Sequence, residues 1–280
     1  MNSILTVKNL CKSYPSFRLD NVSFSLEEGK ITGFIGRNGA GKTTTLHSLL
    51  SFVHPDSGSI RFWDQEYYEH ELEIKQRLGF VSAGMSFYAK KKLRQITDVT
   101  RPFYHAWNEE AYRKYLSLFS LEEEKTPDAL SNGMKIKYML ALALSHGAEL
   151  LILDEPTSGL DPLSREELLE IFLELANQGK TILFSTHITS DLEKTADNIL
   201  YLSRGRLLAD DSLSGFLAAY RLCEYAEGQV PHEWEGRLIG PGRTKNGFSA
   251  LLQASERKDF PLPCRQPSLE EIMIHLEKED

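Results

Sequence analysis

The run Gly36-Arg37-Asn38-Gly39-Ala40-Gly41-Lys42-Thr43-Thr44 has the spacing G-x-x-x-x-G-K-[ST]. That pattern suits one chemistry, the holding of a polyphosphate. Glycines let the backbone wrap close to phosphate oxygens and turn successive N–H groups inward. A helix opening at the same point adds the positive end of its dipole. Lys42 is placed to reach the β- and γ-phosphates, and the Thr43 hydroxyl to ligate Mg²⁺.

A second constellation is Leu150-Leu151-Ile152-Leu153-Asp154-Glu155, an apolar run closing in two acids. A buried parallel strand accounts for the apolar residues but not for carboxylates at its C-terminal end. Open α/β sheets bind their ligands at that end. Asp154 is suited to hold Mg²⁺, directly or through water, and Glu155 to polarise an attacking water as general base. His187 follows the apolar strand Ile182-Leu183-Phe184-Ser185, which places it at the same sheet edge. It reads equally as a satisfied polar residue or as a group that senses the γ-phosphate or orients the water.

The elements that must position these groups are legible in outline. Leu5 and Val7 alternate with polar neighbours, as do Val22, Phe24 and Leu26, and Ile31 to Ile35 is a short strand running into the glycine-rich loop. From about Phe87 to His146 the pattern is helical. Asn108 is a candidate N-cap with Glu109 and Glu110 behind it, and Tyr112, Tyr115, Leu116 and Phe119 form a core stripe. Strands and helices then alternate, which implies an α/β fold. Asp161-Pro162 opens a helix, Thr181 to Ser185 is a strand, and a Ser-Arg-Gly turn joins two strands of a hairpin. After about Ser214, with five of the eleven prolines between Pro231 and Pro267, a small irregular region is expected. It closes in a helix over Ser268 to Lys278, with Leu269, Ile272, Met273 and Leu276 on one face.

Composition excludes several classes. With 32 basic and 40 acidic residues among 280 the net charge is −8, which argues against nucleic acid as a partner. The longest apolar run, Tyr138 to Leu144, is seven residues, so no membrane span is expected. No secretory signal is visible at the N-terminus. Cys11, Cys223 and Cys264 are odd in number and widely spaced, so reduced thiols are expected.

Taken together, residues 3 to 214 resemble the ATP-binding subunit of an ABC transporter, of exporter type. Leu130-Ser131-Asn132-Gly133-Met134 lies where the family has its LSGGQ signature, Ser158-Gly159-Leu160-Asp161 matches its D-loop, His187 its switch histidine, and Tyr14 the aromatic that stacks on adenine. The resemblance implies a P-loop NTPase (RecA-like) α/β core with an antiparallel β subdomain and an inserted helical subdomain at about 87–146. Residues 1–214 would form the ATP-binding domain and 215–280 an accessory region. ATP with Mg²⁺ would bind through Tyr14, Gly36, Asn38, Gly39, Ala40, Gly41, Lys42, Thr43 and Thr44. Hydrolysis would use Lys42, Glu155 and His187, with Thr43 and Asp154 on the metal. A head-to-tail homodimer or heterodimer is implied, with Ser131 and Gly133 contacting a γ-phosphate in trans. So are a separately encoded transmembrane permease and a cytoplasmic location against the inner face of the membrane.

The sequence departs from the family twice. Asn132 and Met134 replace a glycine and a glutamine of the signature, and Ala83 stands where the Q-loop glutamine is expected, leaving no side-chain oxygen for metal or water. The basic cluster Lys90, Lys91, Lys92 and Arg94 that follows reads as a solvated face or as a permease contact. The short C-terminal extension and the signature point to exporters of antimicrobial peptides, antibiotics or lipid-like molecules. The alternatives are a ribosome- or DNA-associated ABC ATPase and a non-hydrolysing regulatory subunit. The first is disfavoured by the single cassette and acidic charge, the second by the presence of Lys42, Glu155 and His187.

Overall fold

A computed structural model describes residues 3–82 and 88–279. Ala83 and the role expected of it lie outside these residues.

A long hairpin opens the chain, β1 (Ser3–Tyr14) and β2 (Phe17–Glu27). Leu5, Val7, Leu10, Leu19, Val22, Phe24 and Leu26 are buried, as the alternation requires. β4 (Ser57–Phe62) and β5 (Gln65–Glu66) complete an antiparallel sheet in the order β2-β1-β4-β5.

The central sheet holds β3 (Ile31–Ile35), β6 (Leu78–Ser82), β7 (Leu150–Asp154), β8 (Thr181–Thr186), β9 (Asn198–Ser203) and β10 (Arg206–Ser212). Its order is β10-β9-β3-β8-β7-β6, parallel throughout except for the β9–β10 hairpin. Successive side chains go to opposite faces and both faces are covered. Ile31, Ile35, Leu151, Leu153, Ile182 and Phe184 enter one core. Phe34, Leu150, Ile152, Leu183 and Leu202 enter another, shared with the β1–β2 hairpin. Burial on both sides explains why β7 and β8 read as apolar runs rather than as alternations.

Helices α1 (Lys42–Leu49), α2 (Glu71–Gln76), α6 (Pro162–Asn177) and α7 (Thr189–Thr195) connect the strands. Between β6 and β7 lie α3 (Leu93–Thr100), α4 (Glu109–Leu118) and α5 (Asn132–Ser145). Asn108 caps α4 by accepting from the Ala111 amide at 2.9 Å. Tyr112, Leu116 and Phe119 are buried as core residues. The hydroxyls of Tyr112 and Tyr138 each lie 2.8 Å from Thr97 Oγ1, tying the three helices together at a buried polar point. The start of β6 is held to β7 by Arg77. Its guanidinium pairs with both Glu149 oxygens at 2.6 and 2.7 Å and stacks 3.6 Å from the Trp63 ring.

The region read as irregular is a regular four-stranded sheet. After α8 (Leu213–Ala218) come β11 (Tyr220–Tyr225), α9 (His232–Glu235), β12 (Ile239–Thr244), β13 (Gly247–Gln253) and β14 (Cys264–Arg265), in the order β12-β13-β11-β14. Proline and glycine misled because they occupy positions a sheet tolerates. Pro241 sits on the edge strand β12 where the register with β13 slips. α10 (Leu269–Glu279) then packs Leu269, Ile272 and Met273 into the same core as α7 and the central sheet, lying against β12, β13 and α7.

The expectation of three reduced cysteines is not met. Cys223 and Cys264 face each other across β11 and β14 and form a disulfide, while Cys11 is free. Wide sequence spacing hid a pair that the sheet register brings together. Among the described residues no helix is long and apolar enough to cross a membrane. Thiol titration of the denatured, unreduced protein is expected to count one thiol, rising to three after reduction. Three before reduction would mean that the bridge does not form. Closing this loop is worth roughly 4 kcal/mol on a chain-entropy basis, so reduction should lower the melting temperature measurably.

Candidate active site

The parallel register decides what meets at the carboxyl edge of the central sheet. Ile35 pairs with Thr186, and Asp154 with Ser185, so β3, β8 and β7 end side by side. The glycine-rich loop, His187 and the acidic pair are therefore neighbours, although the loop is more than a hundred residues of chain from the other two.

The loop leaves β3 at Gly36 and enters α1 at Lys42. It rests on the β9–β10 turn, where the Gly205 amide donates to Ala40 O at 2.9 Å. A Cβ on Gly36 would lie 2.2 Å from Leu202 O, so no side chain fits there. Gly41 has φ +111, and a Cβ on it would meet Phe17 Cζ at 2.7 Å. Lys42 is buried, with Nζ donating to Gly36 O at 2.7 Å and lying 3.6 Å from Glu155 Oε1.

Asp154 is buried and accepts a hydrogen bond from Ser185 Oγ at 2.6 Å. The same hydroxyl accepts from the Glu155 amide at 3.1 Å. Glu155 adopts φ +49, a left-handed conformation uncommon for a side chain of this type. That turn swings its carboxylate off the strand axis toward Lys42 on one side and His187 on the other. His187 Nδ1 lies 2.8 Å from Glu155 Oε2, the distance of a ring N–H donating to a carboxylate.

These groups border a cavity of about 530 Å³. Of the residues expected from sequence, Asn38, Gly39, Gly41, Lys42, Thr43, Thr44, Glu155 and His187 line it. Gly36, Ala40 and Asp154 are buried and do not line it. The structure does not bring Tyr14, Ser131 or Gly133 to the lining. Tyr14 is 40% exposed, and its ring centre lies 6.5 Å from that of Phe17, which does line the cavity. Ser131 is exposed and caps α5, accepting from the Met134 amide at 3.2 Å. Two residues were not foreseen. Ser185 closed a recognised strand, but its role comes from the cross-strand pairing with Asp154. Phe17 had no signal beyond being an aromatic near Tyr14.

The donor set bears on metal binding. Among the described residues no group of three His, Cys, Asp or Glu is placed to hold an ion. The Thr43 hydroxyl and the Asp154 carboxylate are hard oxygen donors, too few for a resident metal. They fit Mg²⁺, which takes only one or two protein ligands and completes its shell with phosphate and water.

Comparison with known proteins agrees with this geometry. The family model described as ABC transporter matches residues 19–158. The chain is 35% identical over 214 residues to the bacitracin transport ATP-binding protein BcrA of Bacillus licheniformis, covering 75% of this chain and 70% of that protein. It is 30% identical over 305 aligned residues to the linearmycin resistance ATP-binding protein LnrL of Bacillus subtilis (strain 168), covering 98% of both. A solved ATP-binding subunit of an ABC transporter superposes with a TM-score of 0.68 at 29% identity, covering 76% of this chain and 91% of that one.

Ser185 should matter through the two acids it orients. Ser185→Ala is expected to leave the fold intact, since the hydroxyl is small and its neighbours are strand residues, and to lower phosphate release roughly tenfold or more. Steady-state kinetics alongside circular dichroism would check it. An unchanged rate would mean that Asp154 and Glu155 hold their positions unaided.

Proposed function

The chain belongs to the ABC transporter family and is an ATPase, and from that premise we propose that it powers a separately encoded membrane permease exporting an antimicrobial peptide, an antibiotic or a lipid-like compound. The observation that carries the reading is the convergence of the phosphate loop, Glu155 and His187 on one cavity.

In this reading the backbone N–H groups of 38–43 and Lys42 Nζ bind the β- and γ-phosphates. Lys42 is already buried and held by a loop carbonyl, so it exchanges one oxygen partner for another when nucleotide enters. Glu155 draws a proton from the attacking water, and His187, bonded to the other carboxylate oxygen, keeps it aimed. Tyr14 and Phe17 offer aromatic faces to adenine. Thr43 and Asp154 would hold Mg²⁺, which supplies neutralisation of phosphate charge when bound.

The second subunit would complete the site. Gly133 supports this assignment. A Cβ there would lie 3.6 Å from Ser164, an ordinary contact, so packing within the chain does not demand glycine. A close approach by a partner subunit's phosphate would favour it. Ser131 and Gly133 would thus meet the γ-phosphate of a partner, identical or not. A need for ATP and a membrane partner together support a location on the cytoplasmic face of the membrane.

For the permease, the surface that fits is an apolar groove of about 330 Å³ between β6, α5 and the end of α1. Phe52 stands 59% exposed at its rim, and Tyr104 stacks on His146 at 3.7 Å along its wall. Burial pushes the His146 imidazole down to about 4, so it is uncharged at neutral pH, and Lys75, which also lines the groove, pairs with Glu71 at 2.6 Å. A mainly apolar wall with one cation at its edge suits an amphipathic helix of the permease. The basic cluster is a weaker candidate, because Lys92 and Arg94 both pair with Glu124. The substrate class rests on the relatives for bacitracin and linearmycin.

Three substitutions test the proposal. Lys42→Ala is expected to abolish phosphate release and greatly weaken nucleotide binding, and wild-type turnover in that variant would sink the site assignment. Glu155→Gln keeps the shape of the side chain but cannot act as a base. It should trap ATP and accumulate a dimer in size-exclusion chromatography with ATP and Mg²⁺; a monomer at high concentration would count against closure of two identical subunits. Phe52→Asp should weaken capture of the co-expressed permease in detergent, whereas undiminished capture would remove the groove from the interface.

A further inference from the structure

The C-terminal helix does not merely cover the core. α10 runs beside the phosphate loop and carries Glu277 in its last turn, with a side chain only 11% exposed. Glu277 Oε1 accepts from Tyr201 at 3.0 Å and from Ser203 at 3.2 Å. Those residues flank Leu202 on β9, the strand whose Leu202 carbonyl excludes a side chain from Gly36. The other oxygen, Oε2, lies 3.9 Å from the Arg37 guanidinium, which belongs to the phosphate loop itself. One carboxylate therefore touches both the loop and the strand it rests on. Arg37 and His187 border the nucleotide cavity on one side and a groove of about 420 Å³ against α10 on the other.

We propose that Glu277 is a positioning residue for the ATPase reaction, holding the phosphate loop in its binding conformation through Arg37 and β9. This rests on the ATP-binding reading of the cavity. The physical reason is conformational. Arg37 lies at the first free position of the loop, and its carbonyl accepts from the Ala40 amide at 3.1 Å, closing the turn that carries Asn38 and Gly39. A loop tethered at Arg37 loses less freedom when the phosphates arrive, which favours binding. Once nucleotide is bound its own contacts hold the loop, so the chemical step gains nothing further. Loss of the tether should appear in KM and not in kcat.

The anchorage of α10 fits this role. The Leu269 amide donates to Glu193 on α7, the helix that follows His187. His275 Nδ1 lies 2.6 Å from Gly240 O, and Arg265 pairs with Glu271 at 2.6 Å just before the helix. The helix is thus fixed both to the C-terminal sheet and to the element after His187, so a disturbance in that sheet is transmitted to the loop.

The test uses the full-length protein. Glu277→Gln keeps an oxygen that accepts from Tyr201 and Ser203 and removes only the charge, so folding should be preserved. The expected result is a two- to fivefold rise in KM for ATP with kcat unchanged. The same rise should occur in Arg37→Ala, with no further rise in the double variant. Raising salt toward about 1 M should close the gap between wild type and Glu277→Gln, since the pair with Arg37 is exposed on one side. Equal KM values for wild type and Glu277→Gln, or additive effects in the double variant, would overturn the proposal. A wild-type protein without ATP turnover would instead overturn the reading of the cavity.

Discussion

The parallel hydrogen-bonded register of β3, β8 and β7 is the constraint from which the site follows. It brings Ile35 beside Thr186 and Asp154 beside Ser185, so three separate chain segments end at one edge. A slip of one residue in a strand would turn its carboxylate or imidazole away and reverse which core each side chain enters. Because both faces of these strands are buried, each alternate residue is committed to a different apolar layer, and such a slip would cost several buried side chains at once. The precision of the site is thus inherited from packing that never touches a ligand.

Charge is arranged within that frame with equal economy. Lys42 and Glu155 sit 3.6 Å apart, and His187 bonds the far side of the same carboxylate. Each group has a partner in the structure, which lowers the cost of keeping charges partly out of water. In the proposed reaction the arrangement is poised, because the phosphates of a nucleotide would compete for Lys42 and leave Glu155 to act on water. The left-handed backbone of Glu155 belongs to the same design, since strained conformations persist where surrounding contacts enforce them.

Much of this was legible in the chain. The phosphate loop is local, so its spacing alone carried Gly36 through Thr44. Asp154, Glu155 and His187 were found because apolar runs announce buried parallel strands, and polar residues just beyond them stand out. Ser185 was missed because its role arises from cross-strand pairing, which no local pattern encodes. Phe17 was missed for the same reason, as the aromatic that lines the cavity is set by how the hairpin folds over the loop. The C-terminal sheet was misread from proline and glycine content, and the bridge of Cys223 to Cys264 from sequence distance. In both cases the deciding fact is which strands become neighbours, and that belongs to the tertiary structure.

The position of β3 has a consequence for how the chain is made. This strand, complete at residue 35, lies between β8 and β9, whose last residues are 186 and 203. Its partners therefore do not exist until most of the chain has left the ribosome. At ordinary synthesis rates that delay is about 10–30 s, far longer than a hairpin such as β1–β2 needs to form. During the interval an apolar strand and a glycine-rich loop lack the neighbours that bury them. The nascent chain must keep them shielded, by its own early antiparallel sheet or by a chaperone, and a polypeptide released before residue 203 would carry the nucleotide motif without the floor on which it rests.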